Sequence, residues 1–513
     1  MPSGQSKPVF RPYNQHQGML LPPSLEEMIK PNHPVRTINA IIDSLDIDTL
    51  LAKYKGGGVA SYHPRMLLKV LVYAYVSNVY SSRKIEEACS QNIHFLWLSG
   101  MQYPDHHTIN RFRSERLKDV FRTVFTQVVQ LLAAEGILSL KEVFVDGTKI
   151  ESAANRYTFV WAKAIKTNLA KMEAQLRELL QYAASVAKEE MDDPEPTDFT
   201  PVSAEKVSET IEKIDAAIRD NPDASAKVKA KVAYAKRNWP AAVLKYKMQL
   251  EILAGRNSYS KTDPSATFML MKEDHMKNGQ LKPGYNIQVS GSMQYITSYS
   301  IHPNPTDTLT LIPHLEQFKK DHGTLPEVVT ADAGYGSEQN YEHLEQAGIE
   351  AYVKYGYFDK DQDETFSKKH PFTQDKLHYN EALDCFVCPM GQRMENVGSY
   401  KKTNESGFVQ HITKYQARNC EGCPMRGACH KSKSNRIIEV NHNLNRHKKK
   451  AREALTSDVG VMYRKRRPVE VEPIFGNIKS NHRFRRFMLR GNEKVELEFG
   501  LLAMAQNLRK RVA

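Results

Sequence analysis

The sequence predicts an α/β protein: a mixed sheet flanked by helices, preceded by an all-helical domain and interrupted by a helical and a Cys-rich insertion. Three observations predict it. Apolar residues recur at helical steps over the first quarter of the chain, strand-period runs alternate with helical ones beyond it, and five of the six cysteines crowd into one short segment. At 513 residues the chain exceeds a single core, and 41% apolar content suffices for several.

The elements follow in order. Residues 1–22 form a polar tail without the apolar core of a signal sequence. Residues 23–137 read as a helical, DNA-binding domain. Met66–Val76 is a buried helix, Ser81 or Ser82 can cap the next, and Asp105 can cap a polar-faced helix carrying His106, His107, Asn110, Arg111 and Arg113. That arrangement suits a helix-turn-helix-like reader with Arg111 and Arg113 on DNA. Residues 138–369 hold the first part of the sheet, where Val143, Phe144 and Val145 form a buried strand ending at Asp146. Within it, about 160–254, Ile165, Leu169, Met172, Leu176 and Leu179 step by four and three, and Val207, Ile211, Ile214 and Ile218 repeat the stepping after a Pro-rich acidic break at 192–202. This reads as an inserted helical hairpin. GYNIQVSG and QYITSYSIH alternate as a strand hairpin. A helix over 307–320, a strand ending at Asp332, a helix over 337–347 and a strand over 350–355 complete this part. Residues 370–435 are the Cys-rich insertion, and a basic segment with helices, 436–513, closes the core.

Charge narrows the function. The net charge is +13, and between Asn441 and Arg490 there are 14 Lys and Arg against four acids. Such an excess is the electrostatic footprint of a polyphosphate partner. No apolar stretch is long enough to span a bilayer, so a soluble, cytoplasmic protein is expected.

Three acids stand out against this basic background: Asp146 in VFVDGTKIES, Asp332 at the end of EVVTAD, and Glu472, seven residues before Lys479. Carboxylates converging without a cation would repel one another, and oxygen-only ligands suit Mg²⁺ or Mn²⁺. If the three meet, they imply metal-dependent cutting or joining of nucleic acid. Strand-end capping is the competing reading of Asp146 and Asp332. Lys149, Asn155 and Asp307 are further polar residues near these runs. The cysteines read Cys385-x2-Cys388-Pro-Met-Gly, then Cys420-x2-Cys423-x5-Cys429-His430. Two Cys-x2-Cys knuckles point to a stretched ribbon holding structural Zn²⁺, with Cys385, Cys388 and Cys423 joined by Cys420 or Cys429. An iron–sulfur cluster and unliganded thiols are the other readings.

VDGTKIES around Asp146, TADAGYGS around Asp332 and VEPIFGNIKSNHRFRRFMLRG from Val471 resemble the DDE transposases of bacterial insertion sequences. So does the earlier YHPRMLLKVLVYAYVSNVYSSRKIEEA with PDHHTINRFR, which resembles the family's N-terminal helical domain. The resemblance implies an RNase H-like core and Mg²⁺- or Mn²⁺-dependent cleavage at the element's terminal inverted repeats, followed by strand transfer into target DNA. It also implies a dimer or larger assembly on DNA. Asp146, Asp332 and Glu472 become the catalytic metal ligands, with Asp146 bridging two ions, and Tyr463, Arg466 and Lys479 become DNA contacts. The family pattern of Tyr, Arg, Glu and Lys divides here: Glu472 keeps the spacing to Lys479, whereas Tyr463 and Arg466 keep the spacing to Glu470. Both glutamates therefore remain candidates. Pro473 suggests a helix starting close to Glu472. Two other functions fit the same residues, a metal-dependent endonuclease without strand transfer and a transposase-derived DNA-binding protein without catalysis.

Overall fold

A computed structural model describes residues 24–54, 60–187, 203–272, 279–404 and 406–512. The tail expected over 1–22 and the break expected over 192–202 lie outside the described residues. The chain divides into two compact units, one of residues 1–116 with 511–513 and one of residues 117–510.

The first unit is all-helical among its described residues: α1 (Leu25–Met28), α2 (Pro34–Ser44), α3 (Asp48–Leu51), α4 (Pro64–Val76), α5 (Ser82–Gln91), α6 (Ile93–Ser99) and α7 (His106–Arg111), the last running into a π-helical turn, Phe112–Arg116. Helix α4 is apolar on most faces because it is the centre of this unit; Leu68, Val72, Ala74 and Tyr75 are wholly buried. Asp105 caps α7 by accepting from the Thr108 amide at 2.7 Å. Ser81 holds the N-cap position of α5 without a side-chain bond.

Helix α8 (Phe121–Ala134) belongs to the second unit, so the division falls at Arg116 rather than at residue 137. Its contacts explain this. Phe125 packs edge-on against Tyr299, and Arg122 pairs with Asp321 at 2.9 Å and with Glu496. The main sheet uses β1 (Glu142–Glu151), β4 (Thr267–Leu270), β5 (Leu281–Ser292), β6 (Tyr295–His302), β7 (Val328–Ala331) and β8 (Glu350–Val353), while β2 (Phe159–Trp161) and β3 (Ser258–Ser260) form a separate ribbon. Strand β1 is antiparallel to β5 and parallel to β7, and β7 is parallel to β8; β6 and β4 share the far edge of β5. The β5–β6 turn is Met293–Gln294, with φ of 53° and 62°, so both residues take the left-handed conformation that a two-residue hairpin requires.

Helices α12 (Leu311–His322), α13 (Glu338–Gln346), α17 (His442–Thr456), α18 (Asp458–Gly476) and α19 (Asn492–Val512) accompany this sheet. One core holds Phe144, Leu315, Val329, Tyr352, Leu455 and Val471 together. Helix α18 runs straight through Pro468 and Pro473, against the expectation that it starts near Glu472. An internal proline costs about 3 kcal/mol, but burial of Tyr463, Val471, Ile474 and Phe475 outweighs it. The carbonyl that Pro473 leaves without a donor is that of Val469, a surface residue.

The helical insertion has three helices rather than two: α9 (Ala162–Ala187), α10 (Ala204–Arg219) and α11 (Ala226–Leu253). Its core contains Leu176, Leu179 and the four predicted positions of α10. Two short helices, α14 (Phe358–Asp361) and α15 (Glu364–Lys369), lead into the Cys-rich insertion. This is an antiparallel five-stranded sheet, β9 (His378–Asn380), β10 (Cys385–Val387), β11 (Arg393–Thr403), β12 (Val409–Ala417) and β13 (Ile437–Val440), with a single turn of helix, α16 (Arg426–Cys429), before β13. The long β11–β12 hairpin accounts for the spacing between the Cys pairs. Pairing of β13 with β12 extends the insertion past residue 435 to Val440.

Candidate active site

Register brings the first two acids together. The parallel β1–β7 ladder ends with Val145 opposite Ala331, so Asp146 and Asp332 are the next residues on adjacent strands. Neighbouring strands lie roughly 4.8 Å apart, and residues level in a parallel pair face the same side. Strand β1 does not stop at Asp146, as the sequence suggested, but continues to Glu151 because β5 pairs with it along that length. Asp332 ends its strand by accepting from the Gly334 amide at 2.8 Å, which starts a tight turn.

Helix α18 supplies the third acid. Glu472 lines the same cleft as Asp146 and Asp332, a space of about 430 Å³ shared with Lys272, Arg467 and Lys479. Two residues turn a helix by about 200°, so Glu470 faces elsewhere. It is buried, accepts from the Gln294 amide at 3.1 Å and pairs with Arg466 at 3.1 Å. The rivalry between the two glutamates therefore has a geometric answer: only Glu472 lines the cleft.

Arg467 is the residue that sequence reasoning missed. Its Nη2 lies 3.1 Å from Asp146 Oδ1 and 3.5 Å from Asp332 Oδ2, and its buried Nε has no acceptor. An orphaned buried donor marks an incomplete site. The signal was the run Arg464–Arg467, in which spacing to Glu470 favoured Arg466. Arg466 instead pairs with Glu142 and Glu470 and lies over the rings of Phe144 and Tyr463, outside the cleft.

Other expectations are corrected by burial. Tyr463 is 5% exposed and stacks on Tyr352 at 4.6 Å, so its ring serves the core and is closed to a DNA base. Arg113 is 3% exposed and donates to the Tyr75 hydroxyl and the Tyr80 carbonyl, which ties it to the helical unit's interior rather than to DNA. Arg111 is exposed and pairs only loosely with Glu115 at 3.2 Å. Lys479 lines the cleft from a π-helical turn, Asn477–Asn481, that follows α18. Lys149 donates to the Leu270 carbonyl, and Asn155 accepts from the Tyr157 amide as a turn residue.

Asp307 is different. It lies ahead of α12 rather than inside the predicted helix, and its Oδ1 accepts from Asn286 at 2.8 Å and Gln288 at 2.9 Å. Tyr335, wholly buried, donates to the same Gln288. The glycines near the two aspartates make room for this network. A Cβ on Gly147 would sit 2.5 Å from Gln288 Nε2 and 2.8 Å from Asp307 Oδ1. Burial raises the Asp146 pKa; Arg467 and Lys272 oppose that shift, and Asp332 adds to it. Burial and then the nearby carboxylates hold the Tyr335 phenol well above its ordinary value.

The donor set fits a hard divalent cation in part. Asp146 and Asp332 already converge on one positive group, the Arg467 guanidinium, and every carboxylate present offers oxygen. Glu472 shares the cleft without joining that pair; among the described residues no three His, Cys, Asp or Glu are drawn together tightly enough to hold an ion. The same holds for the thiols. Cys388, Cys420, Cys423 and Cys429 line one small pocket with His430, but Cys385 does not. Cys385 is buried at the start of β10, and Cys388 follows that strand's end. The Arg436 guanidinium donates to Cys429 Sγ at 2.8 Å, and its amide donates to Cys420 Sγ at 3.4 Å. This arrangement does not support the expected zinc site.

Among the described residues no helix is long and apolar enough to cross a membrane. Two family models match the chain, a transposase DDE domain over residues 387–512 and a transposase domain over residues 23–115. Comparison with curated proteins and with solved structures gave no match.

Proposed function

For a chain that belongs to the insertion-sequence transposases of the DDE class, we propose that Asp146, Asp332 and Glu472 form the catalytic carboxylate set for cleavage at element ends and strand transfer. The observation that carries this is the shared cleft: two acids level on adjacent parallel strands, with the third on the helix beside them. The strand order supports an RNase H-like core, since β6, β5 and β1 run antiparallel and β1, β7 and β8 parallel.

The three carboxylates would hold Mg²⁺ or Mn²⁺. The chemistry such a cation supplies when bound is Lewis acidity toward the attacking and leaving oxygens of a phosphodiester. The chain's own residues do the rest. Asp146 and Asp332 are aimed by the Gly147 and Gly334 amides at 2.8 Å each. Arg467, Lys272 and Lys479 form a cationic wall for the non-bridging phosphate oxygens, whose charge grows in the transition state. Arg111, exposed on α7, is a contact for the DNA backbone.

A joining assay tests strand transfer. Full-length protein is given Mg²⁺, a supercoiled target and a pre-cut element end bearing a 3′-hydroxyl. Covalent joining of the end to the target is the expected product. Nicking of uncut ends with no joining would leave an endonuclease, and binding with neither would leave a non-catalytic DNA-binding protein.

A further inference from the structure

Strand β8 ends at Val353, and the chain beyond it builds a second cleft, of about 630 Å³, between residues 355–376 and helix α17. One wall is a row of rings. Tyr357 and Phe366 have centroids 6.4 Å apart, and Phe366 and His370 4.6 Å. Tyr357 is 65% exposed, and its φ of +74° places a bulky side chain in the left-handed region. Such strain persists only where the surroundings enforce it, and an exposed ring gives the core nothing in return. The Lys360 ammonium lies 4.6 Å from the Tyr357 centroid and 5.5 Å from that of Phe366.

The other wall is cationic. Lys448 and Arg452 are one turn apart on α17 and share its cleft-facing side. Arg452 is held by the Tyr355 hydroxyl at 2.9 Å and by Asp361 at 3.2 Å, which neutralises one of the two acids in the lining, the other being Asp375. Lys360 and Lys448 form no ion pair among the described residues. Stacking faces opposite fixed cations, in a space this size, suit one nucleotide: the base lies on the rings and the phosphate reaches the cations.

Position links this cleft to the proposed active site. Both lie beyond the C-terminal ends of adjacent parallel strands, β7 and β8, where ligands of such sheets gather. The turn after Asp332 rests directly on the segment that opens the cleft, since a Cβ on Gly336 would sit 2.3 Å from the Lys354 carbonyl oxygen. We propose that the cleft takes one unpaired nucleotide of the DNA strand, its base against Tyr357 and Phe366 and its phosphate toward Lys448 and Arg452. This rests on the reading that the chain acts on DNA. A free nucleotide offers the same chemistry; the strand is favoured because α17 carries part of the basic tract and the cleft adjoins the Asp332 turn.

The test is binding by full-length protein without metal. The probes are a single-stranded oligonucleotide of about 12 residues containing 2-aminopurine, a blunt duplex, and dAMP as competitor. The strand should bind with quenching of the 2-aminopurine. Tyr357→Gly, which tolerates the left-handed backbone, Phe366→Ala and Lys448→Ala should each weaken that binding by about tenfold, with melting temperature unchanged and, for Tyr357→Gly and Phe366→Ala, duplex binding unchanged as well. A strand bound equally well by parent and variants overturns the proposal, as does duplex binding without strand binding; in both cases the transposase reading stands. Competition by dAMP at the strand's own affinity would assign the cleft to a free nucleotide and overturn the strand assignment. Failure to bind any DNA would remove the proposal together with the reading beneath it.

Discussion

The Arg467 guanidinium lies 3.1 Å from the Asp146 carboxylate, and the same nitrogen reaches Asp332 at 3.5 Å. A positive group thus stands between the two acids that are proposed to hold a divalent cation, and the two cations compete for the same oxygens. Arg467→Gln should therefore bind Mn²⁺ severalfold more tightly, read by electron paramagnetic resonance titration. Its single-turnover nicking should fall by tenfold or more, because a phosphate contact is lost. Weaker Mn²⁺ binding in the variant would mean that Arg467 supports the ion site rather than closing it.

Asp146 carries a raised pKa, with burial the first cause. Its folded-state pKa lies above the unfolded value, so its contribution to stability is full below the unfolded pKa and is lost as pH rises through the folded one. At neutral pH the ionised side chain works against folding. Asp146→Asn should melt no lower than the parent at pH 7 while losing nicking, as expected where function strains a site. A marked drop in melting temperature for the Asn variant would contradict this.

Gly147 is required by what stands beside it. With an added Cβ 2.5 Å from Gln288 Nε2 and 2.8 Å from Asp307 Oδ1, Gly147→Ala should cost on the order of 1–3 kcal/mol in urea unfolding. Asp307→Ala together with Gly147→Ala should cost less than the two separately, since the second change relieves the first. Additive losses would remove Asp307 from the network.

A buried polar chain sets an acid limit. Ser290, His314, Ser300 and His302 are linked at 2.6–2.8 Å, and burial holds His314 down to about 3 and His302 to about 4. These depressed values mean stability that is present above pH 6.5 and is lost as pH falls toward the folded values, by about 1.4 kcal/mol per pH unit for each histidine. Melting temperature should drop steeply between about pH 6 and pH 4, and His314→Gln should flatten the slope. An unchanged slope would assign acid lability elsewhere.

The paired arginines of the helical unit should part company. Arg113→Ala strips buried bonds from Tyr75 and the Tyr80 carbonyl and should cost about 2–4 kcal/mol. Arg111→Ala should leave stability within about 0.5 kcal/mol and weaken duplex binding, with a shallower salt dependence. Equal destabilisation by both would contradict the burial difference.

Much of this was legible before folding, and the failures share a cause. The ends of β7 and α13, the β5–β6 hairpin and the buried face of α10 follow from period and turn chemistry, which are local. What the sequence hides is which way a polar residue turns. Arg113 and Tyr463 occur in runs that read as DNA-facing, yet tertiary packing draws both inward. Arg466 and Arg467 differ by one position, or about 100° of helix, and only the second meets the cleft. Pro473 argued for a helix start, and packing of Val471 and Ile474 overrode it. Cys385 fitted the spacing of a metal knuckle, yet it does not line the pocket that Cys388, Cys420, Cys423 and Cys429 share. The pairing of Asp146 with Asp332 needed the register of β1 on β7, a long-range fact absent from either motif alone.

The most direct test is Mg²⁺-dependent nicking of a labelled element end by four single variants, Asp146→Asn, Asp332→Asn, Glu472→Gln and Glu470→Gln, each shown to bind that end. The first three should lose nicking by several orders of magnitude, and Glu470→Gln should retain it at a measurable rate. Undiminished nicking by Asp146→Asn, Asp332→Asn or Glu472→Gln, or loss confined to Glu470→Gln, would contradict the proposed carboxylate set.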